Sequence, residues 1–141
     1  MNLQSILELI EKDSVMTDHL GDESKKIPIL HGRYLTMRSN EAIVLKQLEL
    51  QRAKLLKKRY LFYTGKAEPE DYKAENFDLK VLRSDVDIFL DSDDQLTELD
   101  KKIEMQKQKV NLLDDFVKAL NQRVWTIKNA IEFQKMMNGI I

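Results

Sequence analysis

Cysteine is absent, and the 141 residues include only 4 glycines, 2 prolines and 1 tryptophan. Without thiols there is no disulfide framework, no thiolate zinc site and no cysteine nucleophile, and the composition suits a reducing compartment. So few glycines and prolines leave few obligatory turns, which favours long helices. No apolar run approaches the roughly 20 residues needed to span a bilayer. The N-terminus, Asn2-Leu3-Gln4-Ser5-Ile6-Leu7-Glu8, has neither the basic start nor the long apolar stretch of a secretory leader, so a cytosolic protein is expected. His19 and His31 are the only histidines, and neither has a neighbour at metal-ligand spacing. Glycine-rich phosphate loops, GxSxG and HExxH are missing as well. The chain therefore reads as a non-enzyme without cofactor or metal, one that acts by binding.

What is present is apolar material and charge. Hydrophobic residues make up 43% of the chain, enough for a core, and charged residues 33%, a share typical of helices with solvated faces. The net charge of −1 conceals a segregation. Leu50 to Lys66 carries six basic residues (Arg52, Lys54, Lys57, Lys58, Arg59, Lys66) and no acidic one. Glu68 to Asp100 carries twelve acidic and three basic residues, a local charge of −9. A binding partner meets the local potential, so this layout matters more than the total.

Apolar spacing predicts the elements of a single helical domain over 1–141. Leu3, Ile6, Leu7 and Ile10 mark a short amphipathic helix over about 2–12. Residues 13–26 are polar and read as a loop. Pro28 fits the first turn of a long helix over 28–64, closed by Gly65 with Pro69 beyond it. A connector over 65–91 holds one short helical turn at Pro69 and enough apolar residues to pack on something. Ser92-Asp93-Asp94-Gln95 fits a capping box with Ser92 as N-cap, opening a second long helix over 92–138.

Along that last helix a 3.5-residue repeat runs through Leu96, Leu99, Ile103, Gln106, Val110, Leu113, Val117, Leu120, Val124, Ile127, Ile131 and Gln134. The expected fold is all-α: an elongated antiparallel helical hairpin with a coiled-coil-like C-terminal helix. Leu112, Phe116, Trp125 and Phe133 widen its apolar face, so a homo-oligomer is expected. Leu99, Ile103, Val110, Leu113, Val117, Leu120, Val124 and Ile127 are the candidate assembly residues.

The basic stretch interleaves its charges with Tyr60, Phe62 and Tyr63. Single strands are held by cations along their backbone and by rings stacked on their bases. A solvated helix face with core aromatics has the same spacing. At about 100° per residue, Lys54, Lys57 and Lys58 share one face, and Arg52 and Arg59 lie far round from it beside Leu48, Leu55 and Phe62. The stretch thus divides into a lysine face and an arginine row, and one flat patch on one subunit does not use both. The acidic group Asp85, Asp87, Asp91, Asp93 and Asp94 lacks the glycine and distal glutamate of a calcium loop and reads as capping and solvated charge.

The segment Leu56-Lys57-Lys58-Arg59-Tyr60-Leu61-Phe62-Tyr63-Thr64-Gly65-Lys66 resembles the signature of the UvsY family, the recombination mediators of T4-like bacteriophages. Leu82-Arg83-Ser84-Asp85-Val86-Asp87 and the tail from Ile127-Lys128 to Gly139 agree in the same order. Tyr60, Leu61 and Lys58 depart from the family pattern. The resemblance implies a ring-like hexamer or heptamer that binds single-stranded DNA. It implies displacement of the phage single-strand-binding protein and loading of a UvsX-like phage recombinase, in the cytoplasm of the bacterial host. It places Lys57 and Arg59 on the family's DNA-binding basic pair. Lys54, Lys58 and Lys66 are further candidate phosphate contacts, and Tyr60, Phe62 or Tyr63 would stack on bases or hold the helix end. The competing reading is a structural coiled-coil adaptor that binds only protein.

Overall fold

A computed structural model describes residues 1–139. It contains five α-helices: α1 (Leu3–Ser14), α2 (Leu20–Tyr63), α3 (Pro69–Ala74), α4 (Val86–Asp91) and α5 (Asp94–Met137), with a 3₁₀ turn at Arg83–Asp85. No strand occurs among the described residues. The chain forms two compact units, one of Met1–Ile43 with the chain from Lys107 onward, the other of Val44–Gln106. No helix among the described residues is long and apolar enough to cross a membrane.

In the first unit, Asn2 caps α1 by accepting the Ser5 N–H on its side chain at 2.7 Å. Ile6 is then fully buried against Leu30 and Tyr34 of α2 and Leu113, Phe116, Val117 and Leu120 of α5. The Tyr34 and Phe116 rings meet at 4.4 Å, and the Tyr34 hydroxyl donates to Asp13 at 2.7 Å. Burial, reinforced by the Asp13 carboxylate, raises the Tyr34 pKa above the ordinary phenol value. Arg38 Nε donates to Asp114 Oδ1 at 2.9 Å, so with the Tyr34–Phe116 contact α2 and α5 run antiparallel here.

Helix α2 begins at Leu20, ahead of the expected start at Pro28, and continues through that proline. A proline this far inside costs about 3 kcal/mol, and a local network supports the early start. Glu23, only 2% exposed, accepts from the Thr17 hydroxyl and from Lys26 Nζ, each at 3.0 Å. This return of Glu23 to Thr17 fixes residues that composition alone marked as loop. The far end matches expectation. Gly65 adopts φ +76°, Lys66 N–H donates to Leu61 C=O at 2.8 Å, and Gly65 N–H donates to Phe62 C=O at 3.3 Å. This is the αL closure that favours glycine.

The N-cap of α5 is Asp93 and not Ser92. Asp93 Oδ1 accepts the Leu96 N–H at 2.9 Å, and Ser92 closes α4, its hydroxyl donating to Ile88 C=O at 2.8 Å. A buried carboxylate takes the position because it has further partners on α2, Arg59 and Tyr63.

The heptad seam of α5 is filled from within the chain as far as Leu120 and again at Ile127, and is open at Val124, Ile131 and Gln134. Ile103 in the second unit, and Val110, Leu113, Val117, Leu120 and Ile127 in the first, are buried, and Leu99 is half-buried. Of the candidate assembly residues only Val124 is exposed, at 52%. Trp125, Ile131, Phe133, Met136 and Met137 are the other large apolar side chains left in solvent on this part of α5, Ile131 at 36% and the rest at least 58% exposed.

Candidate nucleic-acid interface

The second unit holds the whole basic stretch. Lys54, Lys57 and Lys58 project from α2 into solvent, and Lys66 is exposed just past the Gly65 closure. None of these four lysines has a carboxylate within ion-pair distance among the described residues. Lys58 lines a cavity of about 130 Å³ together with Arg59, Phe62, Asp71 and Glu75.

The arginine row turns the other way, toward α5. Arg52 Nε donates to Asp100 Oδ1 at 2.6 Å. Arg59 is 4% exposed, and all three of its guanidinium nitrogens donate hydrogen bonds. Its Nε donates to Asp93 Oδ2 at 2.7 Å, Nη1 and Nη2 donate to the Glu75 carboxylate at 2.9 and 3.1 Å, and Nη2 also reaches the Tyr63 hydroxyl at 3.3 Å. Its Cζ lies 4.3 Å from the centre of the Phe62 ring. Burial opposes the charge, but the hydrogen bonds with Glu75, Tyr63 and Asp93 outweigh it, so the guanidinium holds its proton more tightly than usual. The lysine face and arginine row expected from helical angles are both present, and each has a destination. The pair Lys57 and Arg59 is not brought together: Lys57 faces solvent and Arg59 is inside the unit.

The aromatics divide similarly. Phe62 is 2% exposed and lies 5.0 Å from Tyr72 in a stacked pair, 5.4 Å from Phe77 and 5.5 Å from Tyr63. Tyr63 also meets Phe77 at 5.2 Å and Phe89 at 5.6 Å, and its hydroxyl donates to Asp93. The Tyr72 hydroxyl donates to Phe62 C=O at 2.8 Å. Phe62 and Tyr63 are thus the anchor on which the apolar connector packs. Tyr60 is half-buried and has no ring partner among the described residues.

The family model described as "Recombination, repair and ssDNA binding protein UvsY" matches residues 9–140. The chain belongs to the UvsY family. Its fold is similar to crystal structures of the bacteriophage T4 recombination mediator protein UvsY. The lattice type II form has a TM-score of 0.85 at 18% identity and covers 98% of each chain. The type IV form has a TM-score of 0.83 at 17% identity, covering 97% of this chain and 99% of that one. The type I form has a TM-score of 0.83 at 18% identity, covering 94% and 98%. Among curated proteins none matches. At such identity the structural likeness establishes the UvsY fold, and the family match carries the relationship.

Sequence reasoning missed Asp93 and Glu75 as the partners of Arg59. The first had a signal. Arg52 and Arg59 are seven residues apart, and so are Asp93 and Asp100. Antiparallel helices with one heptad period bring such pairs into register. Glu75 had none, because it closes on Arg59 from the connector. Among the described residues no group of three histidine or carboxylate side chains is placed to hold a metal.

Proposed function

We propose that this UvsY-family chain binds single-stranded DNA on the lysine face of α2. We further propose that it thereby helps load a phage recombinase onto DNA covered by single-strand-binding protein. The observation that carries the reading is the division of one basic stretch: its arginines are neutralised inside the unit, and Lys54, Lys57, Lys58 and Lys66 are left exposed without carboxylate partners. Four such ammonium groups at one helix end and its closing turn suit phosphate contacts on a flexible strand. Tyr60 is the ring positioned to meet a base. Arg59 acts as a positioning residue: it ties the end of α2, the connector and the start of α5 together and so fixes where the lysines stand. Tyr63 shares that role.

The chain acts by binding alone, in the host cytoplasm, as a homo-oligomer of hexamer or heptamer size. With the heptad seam occupied up to Leu120, the copies meet through the exposed apolar residues further along α5 (Val124, Trp125, Phe133 and Met137). Several weak sites on one strand then add by avidity.

Fluorescence anisotropy with labelled oligo-dT over a salt series tests the binding. About three phosphate contacts per subunit give a slope of log affinity against log salt near −2, at about −0.7 per contact. Lys57→Ala combined with Lys54→Ala weakens binding and flattens the slope. A salt-independent affinity overturns the phosphate contact, and no binding at moderate salt returns the chain to a protein-only adaptor. Loading is read separately, as recombinase filament growth on strand already covered by single-strand-binding protein, with and without this chain.

A further inference from the structure

The first unit contains a cleft of about 340 Å³ between the end of α1, the early part of α2 and Arg123 of α5. Its charges are sorted by depth. The carboxylates lie deep, Asp13 with 15% and Glu23 with 2% of the side chain exposed, and the cations Arg33 and Lys26 stand at the mouth, 55% and 56% exposed. The deep carboxylates already have donors: Tyr34 O–H to Asp13 at 2.7 Å, and Thr17 and Lys26 to Glu23 at 3.0 Å. Arg123 Nη2 donates to the main-chain carbonyl of Asp13 at 2.9 Å. That acceptor is neutral, so it orients the guanidinium without cancelling its charge. Lys12, also in the wall, has no carboxylate partner among the described residues. Arg33 Nη1 lies 3.9 Å from Asp13 Oδ2 and Lys26 Nζ 3.0 Å from Glu23 Oε1, so two of the four cations are balanced, and Lys12 and Arg123 give the cleft its net positive charge. Beside it Val15 and Ile29 are 71% and 63% exposed.

We propose that this cleft is a second contact for the nucleic-acid strand, in which Arg33, Arg123 and Lys12 take phosphodiester groups and Val15 and Ile29 lie against sugar or base. The inference rests on the single-strand-binding reading above and extends it from the lysine face to the other unit of the chain. Guanidinium groups suit the paired oxygens of a phosphodiester, and one of the two here is already oriented. The apolar rim favours a strand, which has uncharged surface between its phosphates, over an isolated phosphate ion.

Anisotropy with labelled oligo-dT over a salt series, on the full chain, tests the cleft. Loss of two contacts per subunit in Arg33→Gln with Arg123→Gln lowers the steepness of the slope by roughly 1.4, at about 0.7 per contact. Lys25→Gln with Lys118→Gln, which removes equal charge from the same unit outside the cleft, leaves the slope within error. A gain variant guards against a folding defect in the loss variant: Ile29→Arg adds a cation at the open rim and steepens the slope. If the loss variant matches the control pair, or if the gain variant leaves the slope unchanged, the cleft assignment is overturned. If the wild-type chain binds no strand, the underlying reading fails instead. If inorganic phosphate at fixed ionic strength displaces the strand from the wild type and not from the loss variant, the cleft is a free-phosphate site, and its assignment to the strand is overturned.

Discussion

Arg59 and Asp93 form a buried ion pair in which one carboxylate does two jobs. Asp93 Oδ2 accepts from Arg59 Nε at 2.7 Å, and Oδ1 accepts the Leu96 N–H that opens α5. The pair therefore fastens the last turns of α2 to the first turn of α5 within the second unit, with side-chain exposures of 5% and 1%.

Breaking that pair should cost stability out of proportion to the charge removed. Arg59→Ala leaves Asp93 buried without its cation, a situation that costs about 3–5 kcal/mol. Lys57→Ala, on an exposed position, should stay within about 0.5 kcal/mol. Urea unfolding of the two variants measures the contrast. Equal costs would show that Arg59 is not the structural member of the pair.

Acid should act on the same contact. Burial opposes the charge of Asp93, but hydrogen bonds from Tyr63, the Leu96 N–H and Arg59 outweigh it and hold its pKa below the ordinary value of 3.8. The folded chain therefore binds this proton less readily than the unfolded chain. The resulting stability is fully present above that ordinary value and is lost as pH falls through the depressed one. Thermal unfolding between about pH 5 and pH 2 should show the decline, and Asp93→Asn should flatten it.

At the alkaline end the tyrosines reverse the sign. Burial, then the neighbouring Asp13 for Tyr34 and Asp93 for Tyr63, raises both phenols above the ordinary 10.0. Their neutral forms support the fold fully below that value, and this support fades as pH rises beyond it. A tyrosinate absorbance titration should find Tyr34→Phe and Tyr63→Phe each removing one late-ionising group.

The closing turn of α2 offers a local test. At φ +76° Gly65 is in the left-handed region, and an added Cβ would meet nothing within 4 Å. Gly65→Ala should therefore cost only the conformational penalty, about 1–2 kcal/mol. Gly65→Asn should cost less, since asparagine tolerates that conformation. Thermal melts of the two variants rank them. A larger loss for asparagine than for alanine would contradict the conformational account.

Assembly and folding should respond to different residues of α5. Trp125→Ser with Phe133→Ser, at positions 59% and 58% exposed, should lower the assembly mass and leave helicity unchanged. Leu113→Ala, fully buried, should cost about 2–5 kcal/mol of stability. Sedimentation and circular dichroism separate the two effects. Intact assemblies in the double variant would place the contact between copies elsewhere.

The sequence was most legible where periodicity and chain chemistry agree. The Gly65 closure, the α3 start at Pro69 and the helical course of α5 follow from such signals. The division of Leu50 to Lys66 into two faces was legible from helical angles alone. The destination of each face was not, because a heptad seam looks the same whether its partner lies in the same chain or in another. The start of α2 was hidden for a related reason: Glu23 reaches back to Thr17, and composition does not reveal that contact. Asp93 displaced Ser92 as cap because of Arg59, thirty-four residues away. A capping motif read locally has no access to that.

A seam occupied up to Leu120 by the chain's own residues would change what dissociation means for the proposed assembly. Copies that shared their only apolar core would have to unfold in order to part. In the proposed assembly a separated copy would keep its interior, and parting would uncover only side chains that are exposed in the single chain. Subunit exchange between assemblies should then be fast relative to unfolding. A strand-coating assembly would be able to shed and recruit copies one at a time as another protein advances along the DNA.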